Sequence, residues 1–322
     1  MHYRPLGKSG LSVSEIGFGA WGIGGVTAGP TSYGRTDDST SCAALECALD
    51  EGINFFDTSN VYGDGHSETL IGNVFSRRRS EVVIATKAGF IDYASPPDFS
   101  AAAIVRSVES SLRRLNTDYI DLLQLHNPSA EWLRKYPETM EKMTCLQKDG
   151  KIRAIGVSVK SPADADQLLE LFPFRSVQAN FNMLDIRALE CGLPDKLHSV
   201  GAGFIARTPM SFGFLSGTLT GEEVFPPEDH RSRWPREQIR LWASGARELH
   251  GCCAESSDTA PFLLALRFCL SYAHVSTATA GMITPTEVAS NAQASNAGPL
   301  SQESCARIEA LHKTRKFIVS TL

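Results

Sequence analysis

The sequence predicts a (β/α)8 TIM barrel, because eight short apolar segments alternate with helical segments along the 322-residue chain. Nearly continuous apolar segments are typical of strands that are buried on both faces of a parallel sheet. No linker rich in Ser, Gly or Pro divides the chain, so we expect a single barrel domain over residues 1–322. The strand-like segments are residues 16–19, 55–56, 82–85, 119–125, 154–157, 176–179, 203–206 and 275–278.

Three segments lie outside this repeating pattern. Residues 3–13 predict an N-terminal β-hairpin whose turn contains glycines. The residues after Pro299 predict an extra C-terminal helix. The longest irregular insert, residues 218–244, follows the seventh strand. Because loops at this end of a barrel strand form the active-site face, we expect the insert, which carries Trp234 and Trp242, to cover a ligand.

Local signals place several of the helices. In residues 101–115, apolar side chains recur every three or four positions and predict an amphipathic helix. Residues 161–164 and 284–287 each combine a hydroxyl residue, a proline after it, and an acidic residue three positions after the hydroxyl. These two sequences predict helices with Ser161 and Thr284 as their N-caps.

The charge balance and the distribution of apolar residues exclude several classes of protein. The chain carries 31 basic and 36 acidic residues, with a net charge of −5 and a pI of about 5.9. A nucleic-acid surface normally needs a basic excess. No apolar run reaches the ~18 residues of a membrane span, and residues 1–5 lack the basic-then-apolar pattern of a signal peptide. We therefore expect a soluble cytoplasmic protein that binds neither nucleic acid nor membranes.

The eight cysteines point to a reducing compartment. No C-x-x-C pair occurs, and most of the cysteines lie in apolar helical stretches. We therefore expect free buried thiols. No Cys/His cluster has the spacing of metal ligands, so the sequence predicts no metal site.

Residues 17–22 match the G-x-G-x-x-G pattern of dinucleotide-binding Rossmann domains, and Asp37 lies 20 residues after Gly17. That pattern requires a helix to begin at the motif. Residues 23–30 are rich in glycine and end in proline, so they do not favour a helix. We interpret the motif as a strand end and loop whose glycines let the backbone approach a flat ligand.

Four polar residues lie at or just after the ends of three consecutive strands. Asp57 ends the second strand and Tyr62 follows it, Lys87 ends the third strand, and His126 ends the fourth. Because successive strands are neighbours in a barrel, these side chains are expected to converge at its C-terminal face. Each residue alone also has a structural interpretation, as a turn cap, a loop anchor or a hydrogen-bonded core residue. Their placement at consecutive strand ends favours a catalytic site.

This combination suits protonation of a carbonyl oxygen. A tyrosine with a pKa of about 10 is a poor acid at neutral pH. The Lys87 ammonium should lower the pKa of Tyr62, and Asp57 should keep that ammonium charged and in place. His126 would orient the carbonyl through a hydrogen bond. The sequence contains no P-loop and no G-x-S-x-G motif, so the electrons must come from a bound cofactor.

Several motifs carry a family resemblance, within residues 3–14, 56–68, 86–87, 115–126 and 150–158. On these motifs the chain resembles the aldo-keto reductase superfamily over roughly residues 3–310, in a branch with arginine at the end of the seventh strand. The resemblance implies reversible reduction of aldehydes or ketones with NAD(P)H. It assigns catalysis to Asp57, Tyr62, Lys87 and His126, with Tyr62 as the general acid/base. Trp21, at the end of the first strand, would face the substrate together with Tyr62 and His126.

The same resemblance implies a cofactor site along the strand ends. Ser158 fills the first position of the family's usual Ser-Asn pair, but Val159 replaces the asparagine. Arg207 stands where the family usually has an aromatic residue, and a guanidinium plane can stack or contact phosphate. We expect the cofactor to contact Gly19, Ala20, Trp21, Ser158, Gln178, Arg207, Thr208, Pro209, Met210, Gly213, Ser216, Gly281, Thr284, Glu287 and Asn291.

The choice between NADP(H) and NAD(H) depends on Glu287. Family prevalence favours NADP(H). However, members that prefer NADPH usually have a basic or amide residue near the adenosine 2′-phosphate, about where this chain has Glu287. This carboxylate caps a helix, and it would also repel a 2′-phosphate, which favours NAD(H) as the alternative. Arg231 or Arg233 in the insert would restore a phosphate contact.

Two other functions stay open on the sequence alone. A nucleotide-binding regulatory barrel that reports redox state to a protein partner would share this fold, although four intact catalytic residues favour chemistry. An unrelated barrel enzyme would bind neither nicotinamide cofactor. The sequence predicts a small-molecule carbonyl or alcohol as the ligand, but it does not determine the substrate, the reaction direction or the oligomeric state.

Overall fold

Eight parallel strands close into a barrel in the computed structural model, which describes residues 1–29 and 31–319. The strands are β1 Tyr3–Pro5, β2 Ser12–Ser14, β3 Ile16–Gly19, β4 Phe55–Asp57, β5 Val83–Ala88, β6 Ile120–His126, β7 Ile152–Ser158, β8 Ser176–Asn180, β9 Gly203–Arg207 and β10 Val275–Gly281. Strands β3 to β10 follow chain order around the barrel, and β10 closes it by pairing with β3. The predicted (β/α)8 fold is confirmed.

Helices cover the outside of the barrel and bury their apolar faces against it. They are α1 Asp38–Asp50, α2 His66–Phe75, α3 Ala101–Arg114, α4 Ala130–Lys135, α5 Glu138–Lys148, α6 Asp164–Leu171, α7 Arg187–Glu190, α8 Leu193–Val200, α9 Arg236–Gly251, α10 Pro261–Leu270, α11 Pro285–Ala297 and α12 Gln302–His312. The extra C-terminal helix is therefore α12. In the part of the chain that the structure describes, no helix is long and apolar enough to cross a bilayer.

The predicted N-terminal hairpin forms from β1 and β2 and closes the end of the barrel where the strands begin. Leu6 and Val13 are fully buried, in one cluster with Phe55 inside the barrel. Gly7 has a φ of +53°, and a Cβ at this position would lie 2.4 Å from the backbone nitrogen of Gly203. Only glycine allows this close approach. The hairpin thus leaves the opposite face free for a site.

Strand register brings the predicted site residues to that opposite face. Asp57 on β4 pairs with Gly19 on β3. Lys87 on β5 pairs with Gln124 on β6. His126 is the last residue of β6, two residues after Gln124, so it lies closer to the barrel mouth than Gln124 does. The carboxyl ends of three neighbouring strands therefore converge, as the sequence predicts.

The structure confirms one of the two predicted N-cap residues and contradicts the other. Thr284 caps α11 in a full capping box with Glu287, as predicted. The prediction for Ser161 is wrong, because α6 begins at Asp164 and has no side-chain cap. The Asp164 carboxylate instead accepts a hydrogen bond from the Ser161 backbone N–H at 3.1 Å, within a turn that precedes the helix.

The Rossmann interpretation of residues 17–22 is excluded by the structure. Strand β3 leads into a short 3-10 turn, Gly22–Gly24, and the next helix begins only at Asp38. An added Cβ on Gly24 would lie 2.9 Å from the backbone of Tyr62. The glycines therefore let two loops pack backbone against backbone beside the barrel mouth.

The insert is shorter than predicted. Helix α9 begins at Arg236, so the irregular segment ends at residue 235 instead of 244. Trp242 lies on α9 and is only 8% exposed, with its ring 5.3 Å from that of Phe214. The expectation that Trp242 covers a ligand is wrong, because this side chain belongs to the core under the insert.

The cysteines are less buried than predicted. All eight are free, but only Cys253 and Cys269 are buried. Cys145 and Cys191 are exposed, so the expectation of buried thiols is wrong for them. Cys145 lies on α5 outside its buried face, and Cys191 directly follows the short helix α7. A helix packs only one face against the barrel, so an apolar helical stretch does not by itself bury every cysteine in it.

Candidate active site

Lys87 lies at the centre of the four predicted catalytic residues. Its side chain is fully buried. Its ammonium donates hydrogen bonds to Asp57 Oδ2 at 2.7 Å, to the Thr58 carbonyl at 2.7 Å and to the Tyr62 hydroxyl at 3.2 Å. All three donors of the ammonium are thereby satisfied. The structure brings Asp57, Lys87 and Tyr62 into one connected network.

Two glutamines complete the surroundings of Asp57. Gln124 Nε2 donates to Asp57 Oδ1 at 3.1 Å, and Gln178 Nε2 donates to the same oxygen at 2.9 Å. Gln178 was expected at a cofactor, and in this structure its amide holds the carboxylate. Gln124 was not predicted. Its signal is an amide two residues before His126 in β6, a fully buried strand that is mainly apolar.

The turn that follows β4 places the Tyr62 ring. Gly63 has a φ of +61°, and a Cβ there would lie 2.0 Å from the Gly24 carbonyl oxygen. Asp64 also adopts a left-handed conformation, with a φ of +52°. Non-glycine residues rarely adopt this conformation, and such positions concentrate at functional sites. The tight turn holds the tyrosine hydroxyl against Lys87.

His126 faces Tyr62 across the barrel mouth. Their ring centroids are 6.3 Å apart, and the Phe90 ring packs edge-on against His126 at 5.1 Å. His126 Nδ1 lies 3.3 Å from Ser59 Oγ. When the serine hydroxyl donates to Nδ1, the imidazole proton is on Nε2 and is available to a ligand. Ser59 was not predicted, since a serine in a loop carries no distinguishing signal.

Burial controls the protonation of these groups. It raises the pKa of the Tyr62 phenol, the Asp57 charge raises it further, and Arg207 opposes both. The predicted lowering of the Tyr62 pKa is therefore wrong, because desolvation of the phenolate outweighs the nearby Arg207 cation. Burial, with the Lys87 and Arg207 charges, holds the pKa of His126 well below 6.5. Both rings are therefore neutral at pH 7.

Arg207 ends β9 and joins three strand ends. Its guanidinium donates to Asn180 Oδ1 at 2.8 Å, to Ser158 Oγ at 3.0 Å and to the Val159 carbonyl at 2.8 Å. Burial lowers its pKa, and the Tyr62 and Asp57 charges oppose the shift. Ser158 is fully buried and supports Arg207, so it does not itself line the cavity. Asn180, which sequence reasoning missed, does line it.

A cavity of about 760 Å³ extends from Tyr62 and His126 to α11. Lys87 lies beneath its floor and Thr284 lies outside its lining. Tyr33 and Tyr93 line it without having been predicted, because loop residues give no periodic signal. Most predicted cofactor residues do line it, namely Gly19, Ala20, Trp21, Gln178, Arg207, Thr208, Pro209, Met210, Gly213, Ser216, Gly281, Glu287 and Asn291.

The insert reaches this cavity through residues other than its tryptophans. Arg231 lines the cavity, and His230 packs against Trp21 with ring centroids 4.6 Å apart. Trp234 lies behind His230 and against Phe212, at a centroid distance of 4.8 Å from the latter. The prediction that Trp234 covers the ligand is therefore wrong, since among the described residues it supports the wall instead of lining it.

Comparison with known proteins identifies the family. Residues 15–313 match the family model described as Aldo/keto reductase family. The chain belongs to this family. It is 37% identical over 247 residues to "Aldo-keto reductase YhdN" of Bacillus subtilis, which covers 74% of this chain and 71% of that protein.

Two further relatives cover nearly the whole reductase chain. The "NADH-specific methylglyoxal reductase" of Escherichia coli is 30% identical, over 91% of this chain and 93% of that protein. The solved structure of the glycerol dehydrogenase AKR11B4 from Gluconobacter oxydans has a TM-score of 0.80 at 29% identity, covering 99% of this chain and 98% of that one. The protein is therefore an oxidoreductase of the family that acts on carbonyl groups.

The reductase cavity fits a nicotinamide dinucleotide. Gly281 ends β10, and a Cβ there would meet no atom within 4 Å, so the backbone wall is open to a flat ligand. The loop after β9 has left-handed residues at Thr208, Ser211 and Phe212. Successive turns of this kind expose backbone N–H groups that bind anions. Among the described residues, no cluster of three His, Cys, Asp or Glu side chains is arranged to hold a metal ion.

Glu287 lies both in the helix cap and in the cavity wall. Its Oε2 accepts hydrogen bonds from the backbone N–H of Ile283 at 2.7 Å and of Thr284 at 3.1 Å. The start of α11 is therefore already occupied by the chain's own carboxylate. Arg231, which would restore a phosphate contact, instead binds Asp229 Oδ2 at 2.6 Å.

Proposed function

We propose that the protein is an NAD(P)H-dependent reductase of aldehydes or ketones, acting reversibly, with Tyr62 as the general acid/base. The observation that carries this proposal is the buried Lys87 ammonium, which joins Asp57 to the Tyr62 hydroxyl under the cavity floor. A bound nicotinamide would supply the hydride that no side chain can supply. The lining residues that the sequence predicted would hold that nucleotide, with Ser158 and Thr284 acting from behind the wall.

Each side chain has a distinct task in this proposal. Tyr62 gives its proton to the carbonyl oxygen as negative charge develops there. Lys87 donates to the hydroxyl oxygen and stabilises the phenolate that remains after proton transfer. Asp57 holds Lys87, and the two glutamines hold Asp57. His126 donates from Nε2 to the same carbonyl and orients it, while Trp21 bounds the substrate.

A dependence on pH follows from the raised pKa of Tyr62. The phenol keeps its proton through neutral pH, so reduction of a carbonyl panel should be constant from about pH 6 to about pH 9. Alcohol oxidation needs the phenolate and should rise with pH over the same range. His126 stays neutral, so we expect no inflection near its ordinary pKa of 6.5.

The experiment measures kcat/KM for short aldehydes and ketones with NADH and with NADPH, across this pH range and in both directions. Reduction of at least one carbonyl class supports the proposed function. Failure of the protein to oxidise either nucleotide with any carbonyl would contradict it and favour a regulatory barrel. A loss of reduction between pH 6 and pH 8 would show that Tyr62 is not the acid in the form described here.

For the cofactor, the geometry supports NADH. The Glu287 carboxylate lies on the cavity wall near the start of α11, and Arg231 is neutralised by Asp229. A phosphate at this end of the cavity would meet a negative charge and no unpaired guanidinium from Arg231. NADPH, which family prevalence favours, would need another cation at this place.

Replacing Glu287 with glutamine tests this preference. Glutamine keeps the capping hydrogen bonds but removes the charge, so the ratio of NADPH to NADH affinity should rise about tenfold at low salt. Fluorescence titration with both nucleotides measures the ratio. Glu303→Gln, an exposed acidic residue on α12, is the control and should leave the ratio unchanged. A ratio unaltered in Glu287→Gln would remove this carboxylate from cofactor selection.

A further inference from the structure

A second cavity of about 630 Å³ adjoins the first. It lies between the loop after β5, residues 89–100, and helix α3. Tyr93 lines both cavities, so a molecule that extends past this ring would occupy both. Phe90 contacts His126 on one side and lines the second cavity on the other. The second cavity is therefore the natural extension of the site beyond the reacting groups.

The loop of residues 89–100, which borders both cavities through Tyr93, is held in one conformation. The Asp98 backbone N–H donates to the Gly89 carbonyl at 2.7 Å and closes the loop at its base. The Asp92 carboxylate accepts from the backbone N–H of Ala94 at 2.8 Å and from that of Ser95 at 2.6 Å. These bonds preform the wall that carries Phe90 and Tyr93.

Several polar groups on the wall of the second cavity have no partner within the described residues. Ser107 Oγ is buried and makes no hydrogen bond there. The Arg106 guanidinium and the Asp64 carboxylate line the cavity without forming an ion pair in the same set of residues. A buried hydroxyl without a partner is uncommon and indicates a ligand or water that satisfies it. These groups offer one hydroxyl, one cationic donor and one anionic acceptor.

The charges of this wall select a neutral ligand. Carboxylates of Asp64, Asp92 and Asp98 oppose an anion, and the Arg106 guanidinium opposes a cation. The Arg114 guanidinium also lines the cavity, but it is already paired with the Glu68 carboxylate at 2.7 Å. A neutral polyhydroxylated molecule can donate to carboxylates and accept from guanidinium groups at the same time. Phe90 and Tyr93 add aromatic surface that suits the apolar face of a sugar ring.

We propose that the second cavity binds a sugar unit of the substrate, while the carbonyl end of that substrate reacts beside Tyr62. This proposal rests on the proposed reductase function and specifies its substrate class as a glycoside or oligosaccharide that carries a carbonyl. The reacting end would enter the first cavity past Trp21, and the hydroxylated end would extend past Tyr93 toward α3. Short carbonyl compounds would then use only the first cavity.

Two tryptophan substitutions on α3 provide a matched test. Ala103 lines the second cavity, whereas its neighbour Ala102 is exposed and does not. We expect Ala103→Trp to fill the cavity and to weaken the binding of cellobiose or maltose at least about tenfold by calorimetry. Ala102→Trp should leave this affinity unchanged. Arg106→Ala, an exposed position on the same helix, should weaken it about threefold by removing one donor.

Kinetics with a short substrate keeps the two proposals distinguishable. For glyceraldehyde, kcat/KM should agree within about twofold among wild type, Ala102→Trp and Ala103→Trp, because this substrate reaches only the first cavity. If no carbonyl is reduced, the proposed function is wrong, but the calorimetric affinities still show whether the second cavity binds a sugar. Equal disaccharide affinity in wild type and Ala103→Trp, or no disaccharide binding to wild type, would overturn the sugar proposal.

Discussion

Replacing Tyr62 with phenylalanine is expected to lower kcat by about 10²–10⁴, because general acid catalysis typically contributes that factor. The substitution removes only the hydroxyl that accepts from Lys87 at 3.2 Å. Lys87 keeps its bonds to Asp57 and to the Thr58 carbonyl, so the buried charge stays paired. Nucleotide affinity should remain close to that of wild type. Steady-state kinetics and fluorescence titration measure the two quantities.

Tyr33 provides a matched control in the same cavity. Its ring centroid lies 5.2 Å from that of Trp21 and 4.8 Å from that of His230. The Lys87 ammonium donates to Asp57, Thr58 and Tyr62 instead. Tyr33→Phe should therefore leave kcat within about threefold of wild type. An unchanged kcat in Tyr62→Phe would refute the assignment of the acid. A loss of similar size in both variants would show that the effect is not specific to the hydroxyl beside Lys87.

The barrel and its central residues were predictable because their signals are local and periodic. Asp57 and His126 end their strands and Lys87 lies one residue before the end of β5. The topology of a barrel brings such consecutive strand ends together. Nothing more than strand order is needed to place them on one face. The G-x-G-x-x-G match at residues 17–22 could be rejected from the sequence in the same way, since helix-breaking residues follow it and the structure has only a 3-10 turn there.

The contacts of the supporting residues were not predictable, because they depend on side-chain directions. Gln124 and Gln178 reach Asp57 from the interior of two different strands, and Asn180 reaches Arg207 from a third position. Sequence spacing shows that such residues are buried but not what they contact. Trp242 shows a different limit of the sequence pattern, which places this residue in the insert. In the structure it is a core residue of α9 that packs against Phe214.

The direction of the Tyr62 pKa shift also could not be predicted from the sequence. A lysine beside a tyrosine lowers the pKa of the phenol when both are solvated, and this expectation guided the sequence interpretation. Here the lysine is fully buried and paired with Asp57, whose negative charge raises the pKa of the phenol. Burial of the phenolate then decides the direction. Geometry was needed to compare these opposing effects.

Replacing Lys87 with methionine should abolish activity and also destabilise the fold. Methionine has a similar length, so the packing is largely kept. The buried Asp57 carboxylate, which is 5% exposed, would lose its cation and retain only the two glutamine donors. Leaving a buried charge without its partner typically costs about 3–5 kcal/mol. We therefore expect the free energy of unfolding, measured with urea, to fall by about this amount.

A double variant distinguishes the effect of Lys87 on stability from its effect on catalysis. In Lys87→Met with Asp57→Asn, no charge is left unpaired, and the asparagine oxygen still accepts from Gln124 and Gln178. Stability should return to within about 1 kcal/mol of wild type, since replacing both members of a buried ion pair is often neutral. Activity should stay as low as in the single variant, because the Tyr62 phenolate would have no neighbouring ammonium to stabilise it.

This pair of measurements distinguishes two roles for the same contact. If the ion pair only supported the barrel, kcat would recover together with stability in the double variant. If Lys87 acts on Tyr62 through the 3.2 Å contact, stability recovers and kcat does not. The burial that makes the ion pair costly to break also excludes the water that would screen it from the Tyr62 hydroxyl. Burial therefore accounts both for the stability that is lost when the ion pair is broken and for the effect of Lys87 on the Tyr62 hydroxyl.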